Sequence, residues 1–290
     1  MKKKIINLIK TFLYNFNKLK PFVDKRILLN LTKAASSKNI NIDPKLPYTW
    51  EFKGFSQNSE DGLIEFLASK IIKPNKYFVE IGASNGLENN SSFLAIAKGY
   101  SGIMIDGDKK CHLMCKEIMN KHAIGVDCLN LFVDKETVNY LKEKMLYKNP
   151  DIFSLDIDGN DYYLAQTILE SGIRPKIFIV EYNSSFGPEK SITIKYDKNF
   201  VLPKSHDSLL YFGVSYNGWK TFFQKHNYKY VCVDSNGVNA FYIDENEFDK
   251  SFSQNVVCNS FKENFWNLKK YRHGWEMQFE LIKDLGFYDI

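Results

Sequence analysis

Tyr77-Phe-Val-Glu-Ile-Gly-Ala-Ser-Asn-Gly86 is the stretch that decides the fold. Tyr77 to Ile81 reads as a short buried strand with one carboxylate, Glu80, near its end. Gly82 and Gly86 follow in a turn, the residue type needed where backbone closely approaches another group. The spacing is E-x-G-x-x-x-G. It departs from the G-x-G-x-x-G of a dinucleotide-binding turn, which presents bare helix N-terminal amides to a pyrophosphate.

Outward from this turn the chain alternates between strand and helix. The spacing predicts helices over Asp61 to Ile72, Ser91 to Lys98, Lys109 to Lys121, Lys135 to Met145 and Tyr162 to Ser171. Between them it predicts strands over Gly102 to Ile105, Ala123 to Asp127, Ile152 to Ile157 and Lys176 to Tyr182. This is the pattern of a doubly wound, mostly parallel α/β sheet. Asn183 to Ser208 reads as a polar loop and Leu209 to His226 as a helix. Tyr228 to Asp234 and Ala240 to Asp244 then form a hairpin across Ser235-Asn236-Gly237. Five parallel strands and a late antiparallel hairpin give seven strands in the order of a Rossmann-like class I methyltransferase, where a dinucleotide dehydrogenase continues with a sixth parallel strand. The core is expected over residues 51–244, with extensions over 1–50 and 245–290, the latter helical and rich in aromatics.

The strand ends carry the chemistry. An acid at Glu80 suits a cationic ligand, and S-adenosylmethionine carries both an ammonium and a sulfonium. Gly82, Ala83 and Gly86 are its expected backbone contacts. Asp106 ends the next strand about twenty residues on, where such sheets place an acid on ribose hydroxyls. Asp108 competes for that role but serves equally as a helix cap. Asp127 is expected near the adenine edge. Asp156-Ile-Asp-Gly-Asn-Asp161 crowds three acids at the fourth strand end, where like charges repel unless a cation or cationic substrate sits among them. Asp156 is assigned to the cofactor, whereas Asp158, Glu181 and Asn183 can converge on the acceptor. Two mechanisms stand open there: a divalent cation such as Mg²⁺ on Asp158, Glu181 and Asn183, or a metal-free general base on Asp158 or Glu181 with Asn183 orienting. His206, near Lys204 and Asp207, is a further candidate for proton transfer. A helix cap explains Asp161, but not Asp156, Asp158 and Glu181 together.

Composition narrows the class. The 290 residues are 44% hydrophobic and 25% charged, ample for a full α/β core. A net charge of +5 and a pI near 8.7, with aromatics inside apolar runs, do not describe a nucleic-acid binder. Five cysteines without framework spacing fit a reducing cytoplasm, and Cys111-His112-x-x-Cys115 has no second ligand pair to complete a zinc site. The first twenty residues hold six Lys and no acid, with apolar residues at helical spacing. Such a helix docks on the protein body or on a second copy. The competing reading lays it on an anionic membrane surface as a peripheral contact, and Lys10 and Asn15 argue against a span.

Together the motifs resemble the FkbM-like S-adenosylmethionine methyltransferases, in particular a bacterial subgroup with Ser56-Gln-x-x-Glu-Asp-Gly62, Glu80-Ile-Gly-Ala-x-x-Gly86 and Asp156-Ile-Asp-Gly-Asn-Asp161. Glu181-Tyr-Asn183, Tyr211-Phe-Gly213 and Gly237-Val-Asn239-Ala are its later pieces, so the likeness spans about Phe55 to Tyr242. The resemblance implies O-methylation of a sugar or another hydroxylated acceptor, such as a surface-polysaccharide precursor. It also implies that Gln57 and Asp61 close over the cofactor, although a capped first helix explains both equally. The competing classes are an NAD-type oxidoreductase and a non-catalytic adaptor.

Overall fold

The computed structural model describes residues 41–123, 125–256 and 260–290. The amphipathic segment over residues 1–20 and Cys258 lie outside them. In chain order come α1 (Glu60–Ala68), β1 (Tyr77–Ile81), α2 (Ser92–Ala97), β2 (Ser101–Asp106), α3 (Lys109–His122), β3 (Val126–Asn130), α4 (Val138–Lys144), β4 (Ile152–Leu155), α5 (Asp161–Glu170) and β5 (Ile177–Glu181). β6 (Ile192–Ile194), α6 (Leu202–Ser205), α7 (Tyr216–Lys225), β7 (Lys229–Val233), β8 (Asn239–Ile243), α8 (Lys250–Asn255), α9 (Phe265–Tyr271), α10 (Trp275–Glu280) and β9 (Phe287–Asp289) complete it.

Seven strands form one sheet in the order β3-β2-β1-β4-β5-β8-β7. β1 to β5 run parallel, and the hairpin inserts its second strand antiparallel against β5, so the α/β class and the late hairpin are as the sequence predicts. β1 and β4 are buried at every residue, because helices cover both faces of the sheet and leave no position for a solvent-facing polar residue. Successive residues alternate between two cores. Phe78, Met104 and Ile179 pack with Leu63, Leu67 and Phe93 of α1 and α2. Val79, Ile103 and Phe178 pack on the other face with Leu164, Ile168 and Trp219 of α5 and α7. Two of the longer helices start at side-chain caps: Asp108 accepts the Cys111 amide at 2.8 Å, and Ser215 accepts that of Gly218 at 3.0 Å.

Three expectations change. β3 starts at Val126, because Gly125 at φ +101° breaks the run from Ala123. The helix expected from Leu209 starts at Tyr216. Before it the chain turns at Leu209 (φ +58°) and Gly213 (φ +60°), bridges Thr193 to Val214, and is gripped by Asn183, whose Nδ2 donates to the Leu210 and Phe212 carbonyls. The loop and the tail also hold strands: β6 pairs antiparallel with β9 as a separate two-stranded sheet, and α8 to α10 are short. The tail is bound to the core through Ser185 Oγ donating to Gln278 Oε1 at 2.7 Å and the Asn264 amide donating to Ser184 Oγ at 2.9 Å. Among the described residues no helix is long and apolar enough to cross a membrane.

Candidate functional site

Strand order reverses between β1, which leads to β2, and β4, which leads to β5. Loops leaving the carboxyl ends on either side of such a point diverge and open a crevice. A cleft of about 710 Å³ lies there, reached by Gly82, Asp106, Asp156 and Glu181 from the four strand ends.

The turn after β1 is held by its own polar side chains. Both Glu80 oxygens accept backbone amides, from Asn90 at 2.8 Å and Ser91 at 3.0 Å, so this acid fastens the start of α2 while lining the cleft. Asn89 Nδ2 donates to the Ala83 carbonyl at 2.9 Å, and Asn90 Nδ2 donates to Ser154 Oγ at 3.0 Å. Gly82 adopts φ +88°, and a Cβ there would sit 1.7 Å from the Asp156 carbonyl oxygen. Its bareness therefore serves the seam between two strand ends. Gly86 meets Cys115, where a Cβ would lie 2.8 Å from Sγ, and neither it nor Ala83 lines the cleft.

On the β2 side, Asp106 accepts the Ser84 amide at 2.8 Å and that of Asp108 at 2.7 Å, which fixes its carboxylate at the cleft wall. Asp127 is a correction. With β3 shifted it pairs with Ile103, below the strand end, and is exposed away from the cleft. Leu131, Phe132 and Val133, which follow the end of β3, line the cleft instead, and Phe132 is 65% exposed.

Across the cleft, the loop after β4 is shaped by Asp161, which accepts the Ile157 amide at 2.9 Å and the Gly159 amide at 2.8 Å. This fold-back leaves Asp158 exposed at φ +56° and brings ligand oxygens of Asp156, Asp158 and Glu181 within 4.8 Å of one another. Burial, and then the neighbouring acids, hold Asp156 and Glu181 well above the usual carboxylate range.

Sequence reasoning missed the third wall. Glu60, at the start of α1, lines the cleft and accepts Asn239 Nδ2 at 2.7 Å and the Asn58 amide at 2.6 Å. Asn239 lines the cleft too, directly across the β5–β8 ladder from Glu181. The Ser56–Gly62 and Gly237-Val-Asn239 motifs were the signals, and they named no role for Glu60 or Asn239.

Three further assignments are corrected. Asn183 is buried and committed to backbone: besides its two carbonyl acceptors, its Oδ1 accepts the Ser185 amide at 3.0 Å, and it does not reach the cleft. His206 lies outside the cleft, its Nδ1 2.8 Å from Ser208 Oγ. Asp61 is also away from the cleft, where one oxygen accepts the amides of Gly54, Phe55 and Ser56 in the loop before α1, so it ties down that loop and does not cap the helix. Gln57 does line the cleft, exposed at its edge.

These buried acids set a stability profile. Burial lifts Asp61 to about 6, Glu80 to about 7 and Asp234 to about 8. Each folded value exceeds the unfolded one, so the native state binds protons that the unfolded chain has released, and stability falls as pH rises through the folded values. His226, depressed by burial, works the opposite way below its usual value and so confines the test to the range above it. In urea unfolding with EDTA present, the chain is expected to be more stable at pH 6.5 than at pH 8.5, by on the order of 2 kcal/mol. A flat or rising profile contradicts this.

No family model and no curated protein matches the chain. Similar solved structures include the SAH-bound methyltransferase PaMTH1 of Podospora anserina, 13% identical, covering 76% of this chain and 86% of that one at a TM-score of 0.44. An O-methyltransferase from Bacillus cereus in complex with SAH is 13% identical, covering 76% and 88% at 0.39. A putative O-methyltransferase from Klebsiella pneumoniae is 12% identical, covering 62% and 74% at 0.39. Likeness at this level carries no argument about chemistry, which rests on the cleft itself.

Proposed function

We propose that the chain binds S-adenosylmethionine in this cleft and catalyses transfer of its methyl group to a hydroxyl of a sugar or surface-polysaccharide precursor. One observation carries the reading: of the residues lining the cleft nine are acidic and only two, Lys135 and Lys198, are basic. Such a lining repels a dinucleotide pyrophosphate and suits a ligand bearing an ammonium and a sulfonium. Asp106, held by two amides at the end of β2, keeps lone pairs free for ribose hydroxyls.

When bound, S-adenosylmethionine supplies an electrophilic methyl group on sulfur. The chain must then place an acceptor oxygen in line with that methyl and take its proton. Ligand oxygens of Asp156 and Glu181 lie within 4.8 Å of each other, and burial raises the proton affinity of both, so this pair is the base to which the proton goes. Asp158, exposed on the same loop, meets the acceptor as it enters.

The test is heat release on titration with S-adenosylhomocysteine, with NAD as the control ligand. Wild type is expected to bind the former and not the latter. Asp106→Ala is expected to weaken binding at least about tenfold, the loss of a hydrogen bond to a charged acceptor. Silence towards S-adenosylhomocysteine, or a response to NAD, overturns the reading.

A further inference from the structure

Asn239 is 4% exposed and lines the cleft, yet its Oδ1 is buried without a hydrogen-bond partner. Its orientation is fixed, because Nδ2 donates to Glu60 Oε1 at 2.7 Å and a carboxylate can only accept; flipping the amide would set oxygen against oxygen. An orphaned buried acceptor costs roughly 1–3 kcal/mol, so a partner is expected. Opposed residues of an antiparallel ladder project from the same face with neighbouring Cβ atoms, which sets Asn239 beside Glu181. Glu181 already shares a 4.8 Å cluster with Asp156 and Asp158.

We infer that this corner is a divalent-cation site in which Asp156, Asp158 and Glu181 supply carboxylate oxygens and Asn239 supplies a neutral amide oxygen. The all-oxygen set selects a hard ion, Mg²⁺ or Mn²⁺, over zinc or copper. The cation relieves the repulsion among the three acids and gives the orphaned oxygen its partner. Asn239 takes the place of Asn183 as the amide ligand, because Asn183 Oδ1 is spent on the Ser185 amide and its Nδ2 on the Leu210 and Phe212 carbonyls. Its role in catalysis rests on the methyl-transfer reading: when bound it would lower the pKa of an acceptor hydroxyl beside it, whose proton would pass to a carboxylate oxygen of the cluster not engaged by the cation.

The experiment is a Mn²⁺ titration of the full chain without S-adenosylhomocysteine, read as heat and as loss of the free-ion paramagnetic signal, with Mg²⁺ as competitor. Wild type is expected to bind one Mn²⁺ that Mg²⁺ displaces. Asp158→Asn, a change on an exposed residue, is expected to weaken it at least about 100-fold, and Asn239→Ala about tenfold or more. Circular dichroism melts confirm that each variant is folded, and Asn239→Asp, which restores an oxygen at the same place, is expected to recover binding. No Mn²⁺ binding by wild type, or binding indifferent to Asp158→Asn, overturns the site; indifference to Asn239→Ala removes the amide from it. The cofactor reading fails separately: a chain that takes Mn²⁺ but not S-adenosylhomocysteine keeps the cation site and loses the methyl donor.

Discussion

Gly82→Ala is expected to abolish S-adenosylhomocysteine binding and to destabilise the chain by roughly 2–5 kcal/mol, since two penalties add. An L-residue at φ +88° costs about 1–2 kcal/mol from contact between Cβ and its own backbone. The added methyl would also sit 1.7 Å from the Asp156 carbonyl oxygen, a backbone atom that cannot rotate aside, and overpacking of this kind costs about 1–3 kcal/mol more. Relief requires parting the ends of β1 and β4, where the Asp156 amide donates to the Ile81 carbonyl at 3.1 Å. That displacement moves Asp156, which lines the cleft between Gly82 and Glu181, so binding suffers beyond the loss of folded molecules. Gly99→Ala is the control. Gly99 has φ +69° and nothing within 4 Å of the position its Cβ would take, so only the backbone penalty applies. Urea unfolding and calorimetry of both variants separate the effects, and equal losses would show that the approach to Asp156 does not matter.

The legible parts of this site were those written in one short stretch. Glu80 and Gly82 declare a strand end and a bare turn within three residues, and Asp106 and the Asp156–Asp161 loop mark the ends of the next strands because strong apolar runs precede them. What escaped depends on distance or on local geometry. Glu60 and Asn239 meet across 179 residues, and neither stands in a pattern that announces a cleft wall. Asn183 sits two residues after Glu181, where an amide looks equally fit for ligand or backbone; only the arrival of Leu210 and Phe212 decides between them. Asp127 was misplaced because Ala123 onward is apolar enough for a strand, and the break comes from the conformation of Gly125. β6 and β9 were invisible for a related reason, each being three residues long and meaningful only when paired with the other.

At the amino ends of the strands, away from the cleft, Lys176→Met is expected to cost about 3–5 kcal/mol, the loss that follows when one partner of a buried ion pair is removed. Lys176 Nζ lies 2.8 Å from Asp151 Oδ1, with side chains 2% and 0% exposed. Asp151 also accepts the Asn75 amide at 3.0 Å and the Lys76 amide at 2.8 Å, so it ties the approach to β1 to the start of β4. Without the ammonium, a carboxylate remains in a place water cannot reach, and two amides do not balance its charge. The double change Asp151→Asn with Lys176→Met leaves no charge behind, and is expected to be more stable than Lys176→Met alone by at least about 1 kcal/mol. Because the pair acts on the sheet and not on the cleft, affinity for S-adenosylhomocysteine among the molecules still folded is expected to match wild type. A double variant no more stable than the single one would mean that the lost lysine matters for its buried chain rather than for its charge.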